Sequence, residues 1–303
     1  MHGIAGNLAT PGTSKFISAP DGLRLHIREY GPRSSDLLPV VCLPGLSRTA
    51  GDFDALAAAL SSNPKAPRRV LALDYRGRGL SEYDRNPANY TLSVELGDLL
   101  AVLVARAAAP AVFVGASRGG ILAMLLAGAR PTAIAGVVFN DIGPVIETKG
   151  VMRIKGYVGR MPQPRTFEEG AEILRRLFDA QFPKLTDAIW LAAAQRTWRE
   201  DKQGLVPTYD VKLTQALADV NPERPLPSLW AQFDGLARVP VLVIRGANSD
   251  ILSPETVSAM RARRRNMDVL EVPDQGHTPL LIEPDVIERI SRFIDRCEPE
   301  KKS

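Results

Sequence analysis

Near its start the chain reads as a hairpin. Residues 15–19 and 23–30, the second with apolar side chains at every second position over Leu23, Leu25 and Ile27, flank the turn Pro20-Asp21-Gly22, the pattern of an antiparallel hairpin. After Gly31-Pro32 it changes to unbroken apolar runs at 37–43, 70–73, 111–114, 137–140, 239–244 and 269–272. A strand apolar at every position is buried on both faces, as parallel strands between two layers of helices are. Helical spacing fills the gaps, at 52–60, 92–107, 119–129, 254–263 and 280–296. The pattern predicts an α/β fold: a mostly parallel, doubly wound sheet with antiparallel edge strands at its N-terminal side.

That rhythm fails between residues 142 and 238. Amphipathic helices at about 166–182 and 185–200 follow one another there without strands, and Pro punctuates Asn221-Pro222-Glu223-Arg224-Pro225-Leu226-Pro227. The expectation is a helical cap, 142–238, inserted between two strands of a core formed by 1–141 and 239–303. No internal repeat or low-complexity segment interrupts this plan.

Composition narrows the class. At 303 residues the chain can bury a large core, and 45% hydrophobic with 24% charged residues excludes disorder and collagen-like repeats. No apolar run reaches membrane-spanning length. The net charge is +4, but Lys and Arg are dispersed among acids except in Arg261-Ala262-Arg263-Arg264-Arg265 and Lys301-Lys302. Such short runs are usually solvated faces or termini, so no nucleic-acid surface is expected. The two cysteines, Cys42 and Cys297, form neither a disulfide framework nor metal-ligand spacing. With no apolar leader in residues 1–10, the expected setting is the cytoplasm, with no cofactor and no metal.

The chemistry concentrates at Gly115-Ala116-Ser117-Arg118-Gly119, which joins an apolar strand-like run to a helical one. Gly-x-Ser-x-Gly in that setting is a nucleophile elbow. Serine sits at a strained backbone angle on a sharp turn, and the glycines remove collisions with strand and helix. A serine hydroxyl needs a base and an acid that orients the base. Of the three histidines, His2 lies in the N-terminal tail and His26 reads as a strand-face residue. His277 stands in Pro273-Asp274-Gln275-Gly276-His277-Thr278-Pro279, a loop after an apolar strand, and is the expected base. Loops at the carboxyl ends of parallel strands converge on one crevice. Asp250, after the 239–244 strand, is the preferred acid, giving the chain order Ser, Asp, His. Asp141, after the preceding strand, is the second candidate, with loop capping or ion pairing as its alternative role.

Taken together these motifs resemble those of α/β-hydrolases over nearly the full length. Asp74-Tyr75-Arg76-Gly77-Arg78-Gly79-Leu80-Ser81 resembles the loop after their fourth strand, Gly246-Ala247-Asn248-Ser249-Asp250 their acid turn, and Gly276-His277-Thr278-Pro279 their base loop. The resemblance implies an oxyanion hole made by the backbone N–H groups of Leu46 and Arg118. Here Leu43-Pro44-Gly45-Leu46 carries proline where that family usually has histidine, but neither expected donor is a proline. The Arg118 side chain is expected to pair with Asp141 or Asp74 as scaffolding, with a substrate carboxylate as the alternative. Trp190, Trp198, Trp230 and Phe182 all fall in the insert, and read as its core before they read as substrate contacts.

A serine, histidine and aspartate with two backbone donors suit acyl transfer. The resemblance is to bacterial serine carboxylesterases, some of whose relatives accept polyesters. It implies a cofactor-independent hydrolase of small or medium acyl esters acting on a small-molecule substrate. Enol-lactone hydrolases, carbon–carbon bond hydrolases and perhydrolases share the scaffold. A non-catalytic ligand-binding relative is the reading from another class.

Overall fold

The computed structural model describes residues 12–299, apart from 203, 219, 222 and 225. The N-terminal hairpin is β1 (Thr13–Ser18) and β2 (Arg24–Tyr30), paired antiparallel. The alternating layers follow as β3 (Val40–Leu43), α1 (Asp54–Ser61), β4 (Val70–Asp74), α2 (Leu92–Ala105), β5 (Ala111–Ala116), α3 (Arg118–Ala129) and β6 (Ile134–Asn140). An insert then carries α4 (Thr148–Tyr157), α5 (Phe167–Phe178), α6 (Asp187–Thr197), β7 (Trp198–Asp201), β8 (Gly204–Pro207) and α7 (Trp230–Asp234). The sheet resumes with β9 (Val241–Gly246), α8 (Pro254–Arg263), β10 (Asp268–Val272) and α9 (Pro284–Asp295). Strand order in the eight-stranded sheet is β1-β2-β4-β3-β5-β6-β9-β10, with only β1 and β2 antiparallel to their neighbours.

The unbroken apolar runs are two alternating sets. Val41, Leu43, Phe113, Val137 and Val243 pack against Leu99, Leu122, Phe233 and Met260 of α2, α3, α7 and α8. The residues between them, Val40, Cys42, Val112, Val138 and Ile244, pack with Leu56 and Ile290 of α1 and α9. Two buried faces give the sheet a fixed register, since a slip of one residue would exchange the whole set of contacts.

Three contacts tie the insert to the core beside β4. The Gly79 N–H donates to the Thr208 carbonyl at 2.7 Å, the Asp210 N–H donates to the Gly77 carbonyl at 2.8 Å, and the Tyr90 hydroxyl donates to Asp210 at 2.7 Å.

The insert is not wholly helical, as its sequence suggested. The helix expected to reach residue 200 stops at Thr197, and Trp198 turns extended to start the β7–β8 hairpin. Trp198 is buried against the face of α5 at Gly170, and Leu205 joins the same cluster with Trp190 and Phe182. Burying an indole outweighs the small cost of ending the helix. Since Trp198 is the only buried residue of β7, no two-residue period marks the strand in the sequence.

Candidate active site

The turn after β5 begins with backbone geometry. Ser117 has φ 50° and ψ −116°, a conformation that residues with side chains rarely adopt and that strands and helices do not contain. It holds the side chain above the carboxyl edge of the sheet while α3 starts at the next residue. A Cβ at Gly115 would lie 2.6 Å from the Gly120 nitrogen, and one at Gly119 would overlap the Leu43 carbonyl. Strand, turn and helix are therefore closer than any larger residue permits.

His277 reaches Ser117 from the loop after β10. Its Nε2 lies 2.8 Å from Ser117 Oγ and its Nδ1 lies 2.8 Å from Asp141 Oδ2. A carboxylate can only accept, so Nδ1 carries the proton and Nε2 is left to accept the serine proton. Asp141 is wholly buried, as the side chain of His277 nearly is. Its carboxylate also accepts from the Gly246 N–H at 3.0 Å and from the Ser249 hydroxyl at 2.5 Å. Three donors thus satisfy a carboxylate that is wholly removed from water.

The expectation that Asp250 holds the histidine is corrected here. Asp250 turns away to Arg153 of α4, accepting from Nε at 2.6 Å and Nη2 at 2.8 Å. Burial pushes its carboxyl up, but the Arg153 guanidinium, helped by Gln181, leaves it below its ordinary value. The physical reason for the exchange is register. Ala116 pairs with Asn140, so Ser117 and Asp141 each follow a partner in one rung of adjacent strands. β9 lies one strand further out. The turn Gly246-Ala247-Asn248-Ser249-Asp250 does serve the acid: it supplies two of the three donors that hold Asp141. Asp141 itself has φ 56°, a left-handed position that aspartate tolerates better than most residues.

Among the described residues neither the Leu46 N–H nor the Arg118 N–H has a protein acceptor. A Cβ on Gly45, the residue before Leu46, would lie 3.7 Å from Ser117 Cβ, which puts that loop directly beside the serine. The Arg118 side chain is scaffolding, but with a partner the sequence reading missed. Its Nε donates to Glu95 at 2.6 Å, not to Asp141 or Asp74. Glu95 is wholly buried and also pairs with Arg78 at 2.8 Å, whose Nε donates to the Leu46 carbonyl at 2.8 Å. One carboxylate thus ties together the residues whose N–H groups flank Ser117. The signal was present: Glu95, Asp98, Leu99 and Val102 share the buried stripe of α2, where an acid needs a partner.

Ser117 and His277 open into a cavity of about 150 Å³. Phe178, Phe182, Leu185 and Trp190 of the insert form its apolar wall, whereas Arg48, Asp52 and Arg196 give it a charged side. Trp198 is insert core, and Trp230 packs on Phe233 and Arg263 away from this cavity. His26 is buried in β2 and bonded to Asp74 and Ser14; His2 lies outside the described residues. No cluster of three His, Cys, Asp or Glu that could hold a metal ion occurs among the described residues, and no helix there is long and apolar enough to cross a membrane.

Sheet order, elbow and histidine loop together define a class of protein. The chain belongs to the alpha/beta hydrolase family, whose model matches residues 40–290. Within it, the chain is similar to a 3-hydroxybutyrate-oligomer hydrolase from Cupriavidus necator, 33% identical over 283 residues that span 91% of this chain and 94% of that one. An sn-1-specific diacylglycerol lipase from Mus musculus is 27% identical over 84% of this chain and 80% of its own length. A crystal structure of an alpha/beta hydrolase from Novosphingobium aromaticivorans superposes with a TM-score of 0.86 at 37% identity, covering 95% of this chain and 99% of that chain.

Proposed function

We propose that this hydrolase cleaves carboxylic esters of small or medium acyl chains through an acyl-enzyme on Ser117. The observation that carries the reading is the unbroken chain Ser117 Oγ, His277 Nε2, His277 Nδ1, Asp141 Oδ2, with 2.8 Å at both ends. His277 takes the hydroxyl proton as Ser117 Oγ adds to the ester carbonyl carbon. The oxygen that becomes negative is received by the Leu46 and Arg118 N–H groups, and the positive end of α3 favours the same charge. His277 then gives its proton to the departing alcohol, afterwards takes one from the water that attacks the acyl carbon, and returns it to Ser117 Oγ as the acyl bond breaks and the acid leaves. Asp141 keeps the imidazole in the required tautomer and stabilises its cationic form.

The apolar wall supplied by Phe178, Phe182 and Trp190 suits an acyl chain of limited length, and the insert acts as the cap over it. Similarity to a 3-hydroxybutyrate-oligomer hydrolase supports including short oligomers of hydroxyacid esters among the substrates. Buried free thiols at Cys42 and Cys297 suit a reducing cytoplasmic setting. A panel of p-nitrophenyl esters and lactones tests the reading. Turnover is expected to be greatest for short acyl esters and to fall at least about 10⁴-fold in Ser117→Ala; ester turnover that survives the substitution contradicts it.

A further inference from the structure

The charged side of the cavity is unbalanced, and the imbalance falls on one residue. Two guanidiniums, Arg48 and Arg196, line the cavity against one carboxylate, Asp52, while the neighbouring Arg28 and Asp54 pair with each other outside its lining. Asp54 is taken by Arg28 Nη1 and by the Tyr30 hydroxyl. Asp52 is held fork to fork by Arg48, through Nε at 2.6 Å and Nη2 at 2.7 Å. Arg196 Nε stands 3.5 Å from Asp52 without a hydrogen bond, and is a buried donor with no partner. The unpartnered buried atom is Nε alone; the Arg196 side chain is 27% exposed, so the rest of the fork is open to water or to a ligand.

Its placement is that of a ligand group. Trp190, Ala193, Arg196 and Thr197 of α6 all line the cavity that contains Ser117 and His277, so one helix face runs from apolar to cationic along the substrate space. Arg48 borders the reacting end: its Cγ would lie 3.3 Å from a Cβ on Gly45, and Ser117 Cβ 3.7 Å from the same point. A cationic fork partly sheltered from water, sharing Asp52 with a second guanidinium that already holds it, matches a carboxylate in charge and in geometry.

We infer that Arg196, backed by Arg48, is a carboxylate-binding subsite, and that the enzyme prefers esters whose leaving or acyl portion ends in a free carboxylate, as a linear hydroxyacid oligomer does. This rests on the ester-hydrolase reading of Ser117 and specifies its substrate class. The apolar wall takes the hydrocarbon of the hydroxyacid units, and the Arg196 fork takes the terminal charge.

The experiment compares a linear hydroxybutyrate dimer with the same dimer ending in a neutral carboxamide. Binding to Ser117→Ala protein is measured by calorimetry, so that no turnover is required. The acid is expected to bind about 10- to 100-fold more tightly than the amide, the span of one charge-assisted pair. That preference should vanish when Arg196→Gln is added, persist in part with Arg196→Lys, and shrink at high salt. Equal binding of acid and amide, or a preference untouched by Arg196→Gln, overturns the inference. Should Arg196→Gln fail to fold, the acid-over-amide ratio, its salt dependence and the Arg196→Lys protein decide on their own. Turnover of the acid dimer by the wild-type enzyme is followed separately. A binding preference without Ser117-dependent turnover removes the esterase reading and leaves the carboxylate subsite standing.

Discussion

The molecule contains the same hydrogen-bonded sequence of side chains twice. At the carboxyl edge of β5 it is Ser117, His277 and Asp141, with 2.8 Å on each side of the imidazole. Beside the N-terminal hairpin it is Ser14, His26 and Asp74, at 2.9 Å and 2.7 Å. The difference lies in what surrounds the serine. Ser14 sits within β1, whose pairing with β2 runs unbroken past it, and no helix starts beside it. None of Ser14, His26 and Asp74 lines the cavity. Ser117 has a strained elbow, a helix N-terminus, two unengaged N–H groups and a pocket. On the proposed reading, a proton relay alone does not make a nucleophile; the place where charge develops must also be built.

Asp74 shows what the second set does instead. Besides His26, it accepts from the Ala50 N–H at 2.7 Å and the Leu80 N–H at 3.0 Å, fastening β2 and two loops to the end of β4. The contrast can be broken in four places. Asp141→Asn should give the largest effect, about 10⁴-fold in kcat, because the amide favours the wrong histidine tautomer. Next, Asp74→Ala should cost about 2–4 kcal/mol in denaturant unfolding, since it strands buried donors, while acylation of the folded protein changes less than about tenfold. Asp250→Asn should lower kcat less than tenfold and stability by about 1–2 kcal/mol at neutral pH, by weakening the Arg153 pair that joins β9's loop to α4. Because the folded Asp250 carboxyl lies below its ordinary value, its contribution is present above the unfolded value. The contribution is lost as pH falls through the folded value, so wild type and variant should converge in acid unfolding. Ser14→Ala, at the exposed end of its set, should change stability by no more than about 0.5 kcal/mol and leave kcat within twofold.

The exchange of Asp250 for Asp141 marks where sequence reading reaches its limit. The unbroken apolar runs, the hairpin at Pro20-Asp21-Gly22 and the elbow were all legible, because each is a local pattern with a local cause. Ser117 and His277 were legible as well: one lies in a five-residue motif, the other in a Gly-flanked loop at the right sheet edge. Choosing between two acids on neighbouring loops needs the register that sets Ala116 beside Asn140, which no local pattern encodes. The β7–β8 hairpin was hidden for a related reason, its single buried residue in β7 being Trp198 at the end of a helical pattern. Glu95 was readable in principle, as an acid on the apolar stripe of α2.

Covalent capture separates the two serines most directly. The wild-type enzyme is treated with a p-nitrophenyl alkylphosphonate, p-nitrophenolate release is counted, and the modified peptide is mapped by mass spectrometry. One equivalent is expected to be released per chain, with a single adduct on Ser117 and at least a hundredfold slower reaction in Asp141→Asn but not in Asp250→Asn. An adduct on Ser14, no adduct at all, or greater dependence on Asp250 than on Asp141 would contradict the assignment of Ser117 and Asp141.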